Sequence, residues 1–500
     1  MLILLLFVTF RRRTKMKNFS ISKLARTILD QRKRLGLTQQ ELADKAGINR
    51  SMLCRLENQE YVPSLDQLTR LANTLQFDVA DVFIEYNTPM FNPVVSRNIT
   101  VYGAGYAGLS AAVQLARHHR VILADPDPER VEKINRRVSP LRDELTERYF
   151  ARAELNLTAV TDGEAACRDA DLAVIAVPAE CRAKNGSIDI SAVDAAVETV
   201  LKNNPAAVIV IRSAVPVGYT AAARERYSAE NILYSPDFIR EASPLYDSLH
   251  PGRIVVGCGK AAREKAQAFA DILKNSALKR DTEILITGST EAEAIRLFSD
   301  ACLEMRTAFF NDVDTYAGSM GLNAGEIIRG ICLDPRIGSH GSNPSFGSAE
   351  DILPEYAGYM PANCGRIPRS MAAAVAESRR SRAEYIADRA LELAGIREDG
   401  EEAAETKAVI GIFRPLGETD PGSFRKSPVR EIMRRLRGNG ARMIVYEPSL
   451  EDGAAFFGCR TVNDLRKFKK QSSVILAERY DTCLDNAENK VYTRDLSPGE

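Results

Sequence analysis

A glycine-rich turn at residues 103–108 limits the fold of this chain more than any other feature of its sequence. The run NITVYGAGYAGLSAAVQLARHHRVILAD leads a β-rich segment into the turn, continues as an Ala- and Leu-rich helical pattern, and ends a second β-rich segment at Asp125. A GxGxxG turn between strand and helix, with an acidic residue about 20 positions later, is the fingerprint of a dinucleotide-binding βαβ unit. We therefore predict a parallel sheet with helices on its faces.

Each residue of this unit has a predicted role. Gly103 permits the tight turn, Gly105 lets the backbone approach the pyrophosphate, and Gly108 allows the helix to pack closely. Asp125 would accept hydrogen bonds from the adenosine ribose, which favours NAD over NADP, although Arg130 nearby weakens that preference. A glycine-rich turn without a cofactor is the alternative. The predicted cofactor-binding residues are Gly103, Gly105, Tyr106, Ala107, Gly108, Asp125 and Arg130.

Composition places the chain among ordinary globular proteins with several domains. Its 500 residues are more than one core usually holds, and its 67 basic and 67 acidic residues cancel, so global charge indicates no partner. Nine cysteines without CxxC pairs and only four histidines indicate a cytoplasmic protein without a disulfide framework or a metal site.

The N-terminal run MLILLLFVTF is apolar and is followed by the basic run RRRTKMK. It is too short to span a bilayer, which needs ~20 residues. A signal peptide would carry its basic residues before the apolar run instead of after it. We interpret residues 1–15 as a non-native extension, with Met16 opening the native chain, and expect no membrane partner.

Residues 18–84 have the pattern of a compact all-α domain. Thr38 can cap a helix, and Glu41 completes a capping box. Gly47 makes a turn, Asn49 caps a second short helix, and VPSLDQLTRLANTLQFDVADVF predicts two further amphipathic helices. The runs TQQELA, RSMLCRLE and PSLDQLTRLA resemble the Cro/cI-like (XRE-type) helix-turn-helix domain.

This resemblance implies double-stranded DNA as a partner. The second helix of the motif would enter the major groove of the DNA. Basic side chains of the first helix would contact the DNA phosphates and add affinity that does not depend on sequence. A helical protein-interaction module with a charged face is the alternative. The predicted DNA-contacting residues are Gln39, Gln40, Asn49, Arg50, Ser51 and Arg55.

A linker is predicted at 85–98, and the chain beyond it contains the motifs GAGYAGLS, RRVSPLRDE, SPDFIREASPLYDSLHPGRIVVG, STEAEAIRLF, CLDPRIG, NPSFG and VYTRDL. Through these motifs the chain resembles the UDP-glucose/GDP-mannose dehydrogenase family over about residues 99–496. The family implies an α/β fold of two Rossmann-like domains joined by a long central helix, here preceded by the helix-turn-helix domain.

The implied boundaries are 99–285 for the NAD-binding domain, 286–385 for the central helix and dimerisation domain, and 386–500 for the C-terminal UDP-sugar-binding-like domain. The central helix is placed at 289–320, capped by Ser289 or Thr290. A homodimer is implied by the same resemblance.

The family oxidises a primary alcohol to a carboxylate with NAD⁺, trapping the aldehyde on a cysteine. Its loop FGYGGYCLPKD reads FGSAEDILPEY here, so Ile352 stands where the cysteine belongs. Arg296 and Asp300 replace the lysine and asparagine that stabilise the oxyanion. The family's catalytic positions are Glu241, Arg296, Asp300, Ile352, Tyr356 and Ala214, of which only Glu241 is retained.

These changes predict that the oxidation is lost while binding survives, because Ile352 cannot form a thiohemiacetal and Asp300 would repel an oxyanion. The family's nucleotide-sugar cleft retains Arg336, Phe346, Arg425 and Arg494, so a UDP-sugar remains a possible ligand. We favour a transcriptional regulator that responds to NAD(H) or a nucleotide sugar. An active dehydrogenase that converts UDP-glucose to UDP-glucuronate and regulates its own gene is the alternative, and an inert dimer scaffold is a third.

Overall fold

The computed structural model divides into two compact units, Met1–Val95 and Ser96–Glu500. The residues that it describes are 17–19, 21–57, 61, 63–85, 96–181, 188–347, 370–396, 408–416, 424 and 427–496. Within these ranges no helix combines the length and the apolar character needed to cross a membrane.

Unit one is a small helical domain. Its elements are β1 (Lys17–Phe19), α1 (Ile21–Arg34), α2 (Gln39–Ala46), α3 (Arg50–Glu57), α4 (Leu65–Leu75), a 3-10 turn (Val79–Val82) and β2 (Phe83–Glu85). The helices share one apolar core, in which Leu24, Ile28, Leu42, Leu53 and Leu71 are fully buried.

The predicted helix signals of unit one are confirmed. The Thr38 hydroxyl accepts a hydrogen bond from the Glu41 amide at 3.2 Å, and the Glu41 carboxylate accepts one from the Thr38 amide at 2.8 Å. Gly47 adopts φ +62° after α2, the left-handed conformation that a helix C-terminus favours. The Asn49 side chain accepts from the Ser51 amide at 2.8 Å, as a cap for α3 should.

Two features of unit one depart from the all-α expectation. Strands β1 and β2 pair antiparallel, with Lys17 opposite Glu85, so the two ends of the domain meet. The second of the two predicted closing helices is only the 3-10 turn Val79–Val82. A run of four residues with two β-branched valines has little helical stability, so a short 3-10 turn results.

The first part of unit two contains an eight-stranded sheet with helices around it. Its elements are β3 (Asn98–Tyr102), α5 (Tyr106–Ala116), β4 (Arg120–Ala124), α6 (Pro128–Asn135), α7 (Glu144–Arg152), β5 (Leu157–Val160), α8 (Gly163–Cys167), β6 (Leu172–Ile175), β7 (Glu180–Cys181), β8 (Ile188–Asp189), α9 (Ser191–Asn203), β9 (Val208–Ile211), α10 (Tyr219–Tyr227), β10 (Ile232–Tyr234), α11 (Pro244–Leu249), β11 (Arg253–Cys258), α12 (Arg263–Ser276) and β12 (Glu283–Gly288). The strand order is β12-β11-β10-β9-β6-β3-β4-β5.

All neighbouring strands of this sheet are parallel except β10 and β11. Every residue of β6 is buried, because helices cover both faces of the sheet, and this explains its uninterrupted apolar sequence. The parallel strands bring their carboxyl ends to one edge, where ligands bind in such sheets.

The second part of unit two holds the long helices and a smaller sheet. The elements are α13 (Ser289–Ser319), α14 (Ala324–Cys332), α15 (Ser370–Leu393), β13 (Val409–Phe413), α16 (Pro428–Gly438), β14 (Arg442–Tyr446), β15 (Ala455–Phe456), β16 (Cys459–Thr461), α17 (Leu465–Gln471), β17 (Val474–Ala477) and β18 (Val491–Tyr492). The strand order is β15-β16-β14-β13-β17-β18, parallel apart from the β15–β16 hairpin. The predicted pair of parallel-dominated α/β sheets is confirmed.

The central helix α13 spans 31 residues, close to the predicted range, but its predicted cap is wrong. Its N-cap is Gly288, which has no side chain to bond to the first turn. The Ser289 hydroxyl instead accepts a hydrogen bond from Arg224 at 2.9 Å. Glu291 supplies the acidic side chain that the positive end of the helix favours.

A buried histidine makes the stability of unit two depend on pH. His119 precedes β4, is 1% exposed, and accepts from the Arg97 amide at 3.3 Å. Burial, helped by the charges of His118 and Arg97, lowers the pKa of His119 to about 4 from 6.5. The unfolded chain therefore binds this proton more tightly, so stability is lost as pH falls from about 6.5 towards 4.

We expect this loss to reach roughly 3 kcal/mol at pH 4, since each pKa unit corresponds to about 1.4 kcal/mol. His119→Asn, whose side-chain oxygen can still accept from Arg97, should lose less stability than the wild type over this range. Urea unfolding at several pH values measures the difference. His340→Gln, at an exposed histidine, is the control, and its free energy of unfolding should change with pH as that of the wild type does. Parallel curves for the wild type and His119→Asn would contradict the assignment.

Candidate functional site

The glycine-rich turn has the geometry of a phosphate cradle. Gly103 adopts φ +96°, and a Cβ there would lie 2.6 Å from the Ala176 carbonyl oxygen. A Cβ on Gly108 would lie 1.8 Å from the carbonyl oxygen of Gly103, so the turn itself requires both glycines. Around the Cβ position of Gly105, by contrast, no described atom beyond its chain neighbours lies within 4 Å.

This open space faces the start of a helix whose amides are not capped by a side chain. Gly105 is the N-cap of α5 and makes no side-chain hydrogen bond, and Tyr106 and Ala107 are the first helical residues. The amides at a helix N-terminus and the helix dipole bind phosphate oxygens well. The residues present therefore fit a dinucleotide pyrophosphate.

Asp125 is held at the end of β4 by backbone amides. Its carboxylate accepts from the Ala104 amide at 2.7 Å and from the Asp127 amide at 3.0 Å, and the residue is 5% exposed. Arg130 lies 3.9 Å from Asp125 and 3.4 Å from Asp127, so its charge is already matched by carboxylates. A ribose with free hydroxyls suits this acidic position better than a 2′-phosphate, which fits NAD.

A cleft of about 1890 Å³ opens within unit two, lined by residues that follow strands of both sheets. We call it the central cleft. Residues of the larger sheet and α13 that line it include Ala214, Glu241, Glu293, Arg296 and Asp300. Residues of the smaller sheet that line it include Phe413, Arg414, Glu447, Glu478 and Asp481. Four of the predicted family positions, Ala214, Glu241, Arg296 and Asp300, thus meet in one cavity with Glu293 of α13.

Arg296 is held in this cleft by two carboxylates. Its Nη1 donates to the backbone oxygen and to the carboxylate of Asp237, both at 2.8 Å, and its Nε donates to Asp300. Burial alone would lower the pKa of the guanidinium, but Asp237 and Asp300 raise it above its ordinary value. Two carboxylates therefore match the charge of Arg296, which weakens the guanidinium as a donor for an oxyanion.

Asp237, one of these two carboxylates, was not predicted from the sequence. It belongs to the run SPDFIREA, and 59 residues separate it from Arg296. Its only sequence signal is an acid four positions before Glu241. Asp300, which was expected to repel an oxyanion, acts here by binding the arginine itself.

Glu293 is a second buried acid that sequence analysis missed. It is 2% exposed, and its carboxylate accepts from the amides of Gly218 at 2.5 Å and Thr220 at 2.8 Å, at the start of α10. Burial raises its pKa although these hydrogen bonds oppose the shift. The carboxylate occupies the anion-binding end of α10, which makes its role structural.

The other family positions in the described cleft carry little chemistry. Glu241 is exposed on the cleft wall. Ala214 has no hydroxyl and packs near Leu297. None of the seven cysteines whose surroundings the structure describes lines the cleft, and Cys302 is exposed elsewhere on α13. Ile352 and Tyr356 lie outside the described residues. No described group of three or more His, Cys, Asp or Glu side chains is arranged to hold a metal ion.

The predicted nucleotide-sugar residues are dispersed. Phe346 is 1% exposed and stacks on Tyr492 inside the core of the smaller sheet. Arg494 donates to the buried Asp314 of α13 at 2.9 Å. Arg336 is exposed and pairs with Asp334 at 2.6 Å. None of these three lines the described part of the central cleft, and Arg425 lies outside the described residues.

Unit one presents an exposed polar face on α3. Arg50, Ser51 and Arg55 are exposed there, while Asn49 caps the helix. Gln39 is less available, because it donates to Glu57 at 2.7 Å, and the same carboxylate binds Arg32 at 2.6 Å. Gln40 is exposed and bonds to Asp44 at 2.8 Å. The arginines and the serine of α3 are therefore the side chains freest to reach a base edge.

Comparisons with known proteins agree with this architecture. Residues 97–275 match the UDP-glucose/GDP-mannose dehydrogenase family, NAD binding domain, residues 290–378 match its central domain, and residues 28–82 match a helix-turn-helix family. A UDP-glucose 6-dehydrogenase of Streptococcus pneumoniae is 39% identical over 401 residues, which cover 80% of this chain and 98% of that protein.

A UDP-glucose 6-dehydrogenase of Campylobacter jejuni is 32% identical over 402 residues, covering 80% of this chain and 98% of that protein. Among solved structures, a UDP-glucose dehydrogenase from the archaeon Pyrobaculum islandicum superposes with a TM-score of 0.70 at 23% identity, over 81% of this chain and 95% of that one. That similarity concerns the fold.

Proposed function

The chain belongs to the UDP-glucose/GDP-mannose dehydrogenase family, with NAD as its cofactor, and we propose that it is a DNA-binding transcriptional regulator rather than an active oxidase of sugars. Its dehydrogenase-like body binds NAD(H) or a nucleotide sugar and passes that information to the helix-turn-helix domain. We propose that this regulator is cytoplasmic.

The observation that carries this proposal is the state of the oxidation machinery. The cysteine of the family loop is replaced by Ile352 in the sequence, and no described cysteine lines the central cleft. Arg296, at the oxyanion position, is bound by Asp237 and Asp300. Bound NAD supplies a hydride acceptor, but without a thiol the aldehyde stage has no covalent trap.

The binding machinery supports retention of a ligand. The glycine-rich turn keeps the two glycines that its own backbone requires and the open position at Gly105. Asp125 stays oriented by two amides. Loss of catalysis with retention of this cradle is the pattern expected of a sensor.

A dimer would present two DNA-binding domains to a palindromic site. Large apolar side chains on α13 and at its C-cap support this arrangement: Phe298, Phe309, Tyr316 and Met320 are each 49–61% exposed. At 100° per residue they fall on one stripe of the helix, which a second copy would cover. The ligand would change DNA affinity only if it bound one arrangement of the two domains better than another.

The full chain should select specific duplexes from a random DNA library. The dissociation constant for the selected duplex is then measured by fluorescence anisotropy with and without NAD⁺, NADH and UDP-glucose. A ligand-dependent change of at least about fivefold is expected, the lower end of usual coupling energies. Failure to enrich any duplex, or affinity unaffected by all three ligands, would count against the proposal.

Arg50→Ala and Arg55→Ala should each weaken binding to the selected duplex by about 1–3 kcal/mol and reduce its preference over random DNA. Both arginines project from the exposed face of α3. Arg26→Ala, at an 85% exposed side chain of α1, is the matched control and should weaken all duplexes alike. If Arg50→Ala and Arg55→Ala also lower all affinities uniformly, α3 does not read bases.

An active UDP-glucose 6-dehydrogenase with autoregulatory DNA binding is the second candidate. The 39% identity with the Streptococcus pneumoniae protein, over nearly its whole length, favours it. It requires a thiol other than that of the loop position to enter the cleft, and Cys302 on α13 is exposed elsewhere.

A further inference from the structure

Unit two contains a small second cavity, which a buried arginine lines. Its volume is about 40 Å³. The charged residues that line it include Arg212, Asp237, Asp247 and Arg253. Arg212 directly follows β9 and is 9% exposed. Among the described residues, none accepts a hydrogen bond from its buried Nε. A buried guanidinium donor without a partner is costly, so it points to an occupant of the cavity.

The charges around the cavity are unevenly matched. Its two carboxylates are already bound by arginines that do not line it: Asp237 by Arg296 at 2.8 Å and Asp247 by Arg240 at 2.7 Å. Arg253, the second arginine of the cavity, lies 3.7 Å above the Phe238 ring and donates to the Ser299 hydroxyl at 3.1 Å. No described carboxylate forms an ion pair with Arg212 or Arg253, so the cavity is positive.

We propose that this cavity binds a small inorganic anion of the halide class between Arg212 and Arg253. Its size suits such an occupant, since a water-sized group needs about 10–15 Å³ and the cavity holds only a few of these. The anion would accept the unpaired Nε–H of Arg212. The anion would also match the positive charge of Arg212. The carboxylate of Asp237 would then stay paired with Arg296, because it would no longer have to neutralise Arg212 as well.

The occupied cavity therefore acts on the central cleft through one shared side chain. Asp237 is 7% exposed, lines the cavity together with Arg212, and accepts a hydrogen bond from Arg296 at 2.8 Å. Burial lowers the pKa of Arg212, and Asp237 opposes that shift. An anion that satisfies Arg212 thus stabilises the arginine–aspartate cluster that closes the oxyanion position.

Thermal unfolding of the full chain tests the site. Chloride replaces gluconate at a constant ionic strength of about 0.15 M, so that general screening does not change. Chloride should raise the melting temperature of the wild type by about 2–4 °C, and Arg212→Gln should lose this gain. Arg136→Gln, at a 73% exposed arginine directly after α6, should keep the gain. Equal melting temperatures in the two salts, or a gain that persists in Arg212→Gln, overturns the proposal.

Two further measurements apply if Arg212→Gln does not fold. Arg253→Gln removes the exposed arginine of the cavity and should reduce the chloride gain. Bromide soaked into crystals of the wild-type chain should give an anomalous scattering peak in the cavity beside Arg212. A cavity filled by water alone at saturating bromide overturns the proposal as well.

Discussion

Gly108→Ala should weaken NAD binding about 100-fold. An added Cβ would lie 1.8 Å from the carbonyl oxygen of Gly103, a distance at which either the turn or α5 has to move. Backbone atoms cannot yield as a flexible side chain does, so the cradle loses its shape. A clash of roughly 3 kcal/mol corresponds to about 100-fold in affinity. Isothermal titration calorimetry of NAD⁺ into the purified variant measures the loss.

Gly105→Ala is the matched control for this result. No described atom beyond its chain neighbours lies within 4 Å of the added Cβ, so the free protein should melt like the wild type. NAD affinity should still fall about tenfold, because the methyl group enters the space through which a pyrophosphate approaches the amides of α5. Unchanged NAD binding in Gly105→Ala would show that the cofactor does not lie over this turn.

Asp314→Ala should cause the largest loss of stability among the substitutions considered. The residue is fully buried on α13, and its carboxylate accepts from Arg382 at 2.7 Å and from Arg494 at 2.9 Å. Arg382 is itself 1% exposed. Removing the carboxylate leaves buried guanidinium groups without their counter-ion, which costs about 3–5 kcal/mol. Urea unfolding followed by circular dichroism gives the change in midpoint.

Asp334→Ala is the control, because it also removes one partner of an arginine ion pair. That pair is on the surface, with the Arg336 side chain 87% exposed, so water replaces the lost partner. Its unfolding midpoint should not change measurably. If Asp314→Ala behaved the same way, the link between α13 and the smaller sheet would not depend on this buried cluster.

The features that sequence analysis predicted well are those set by neighbouring residues. The cap at Thr38 and Glu41 and the left-handed turn at Gly47 depend on a few consecutive positions, so their signals are local. The same holds for the glycine-rich turn, where the conflict between Gly103 and Gly108 arises within one turn of chain. Apolar strand sequences likewise predicted the buried parallel sheet.

The features that could not be predicted from the sequence depend on contacts between distant parts of the chain. The cap of α13 was wrong because Arg224 takes the Ser289 hydroxyl, which no local pattern reveals. The binding of Arg296 by Asp237 joins residues from separate elements, so a list of substitutions could not predict a closed ion cluster. Phe346, assigned from its motif to a ligand cleft, is buried in a core formed by distant strands.

The formation of NADH tests the central claim most directly. The full chain is mixed with NAD⁺ and UDP-glucose, and absorbance is followed beside the Streptococcus pneumoniae UDP-glucose 6-dehydrogenase as a positive control. The proposed function predicts no NADH above the buffer background from a protein that binds NAD⁺ in calorimetry. Sustained NADH formation over many turnovers would contradict it, and would mean that another group in the cleft replaces the missing thiol.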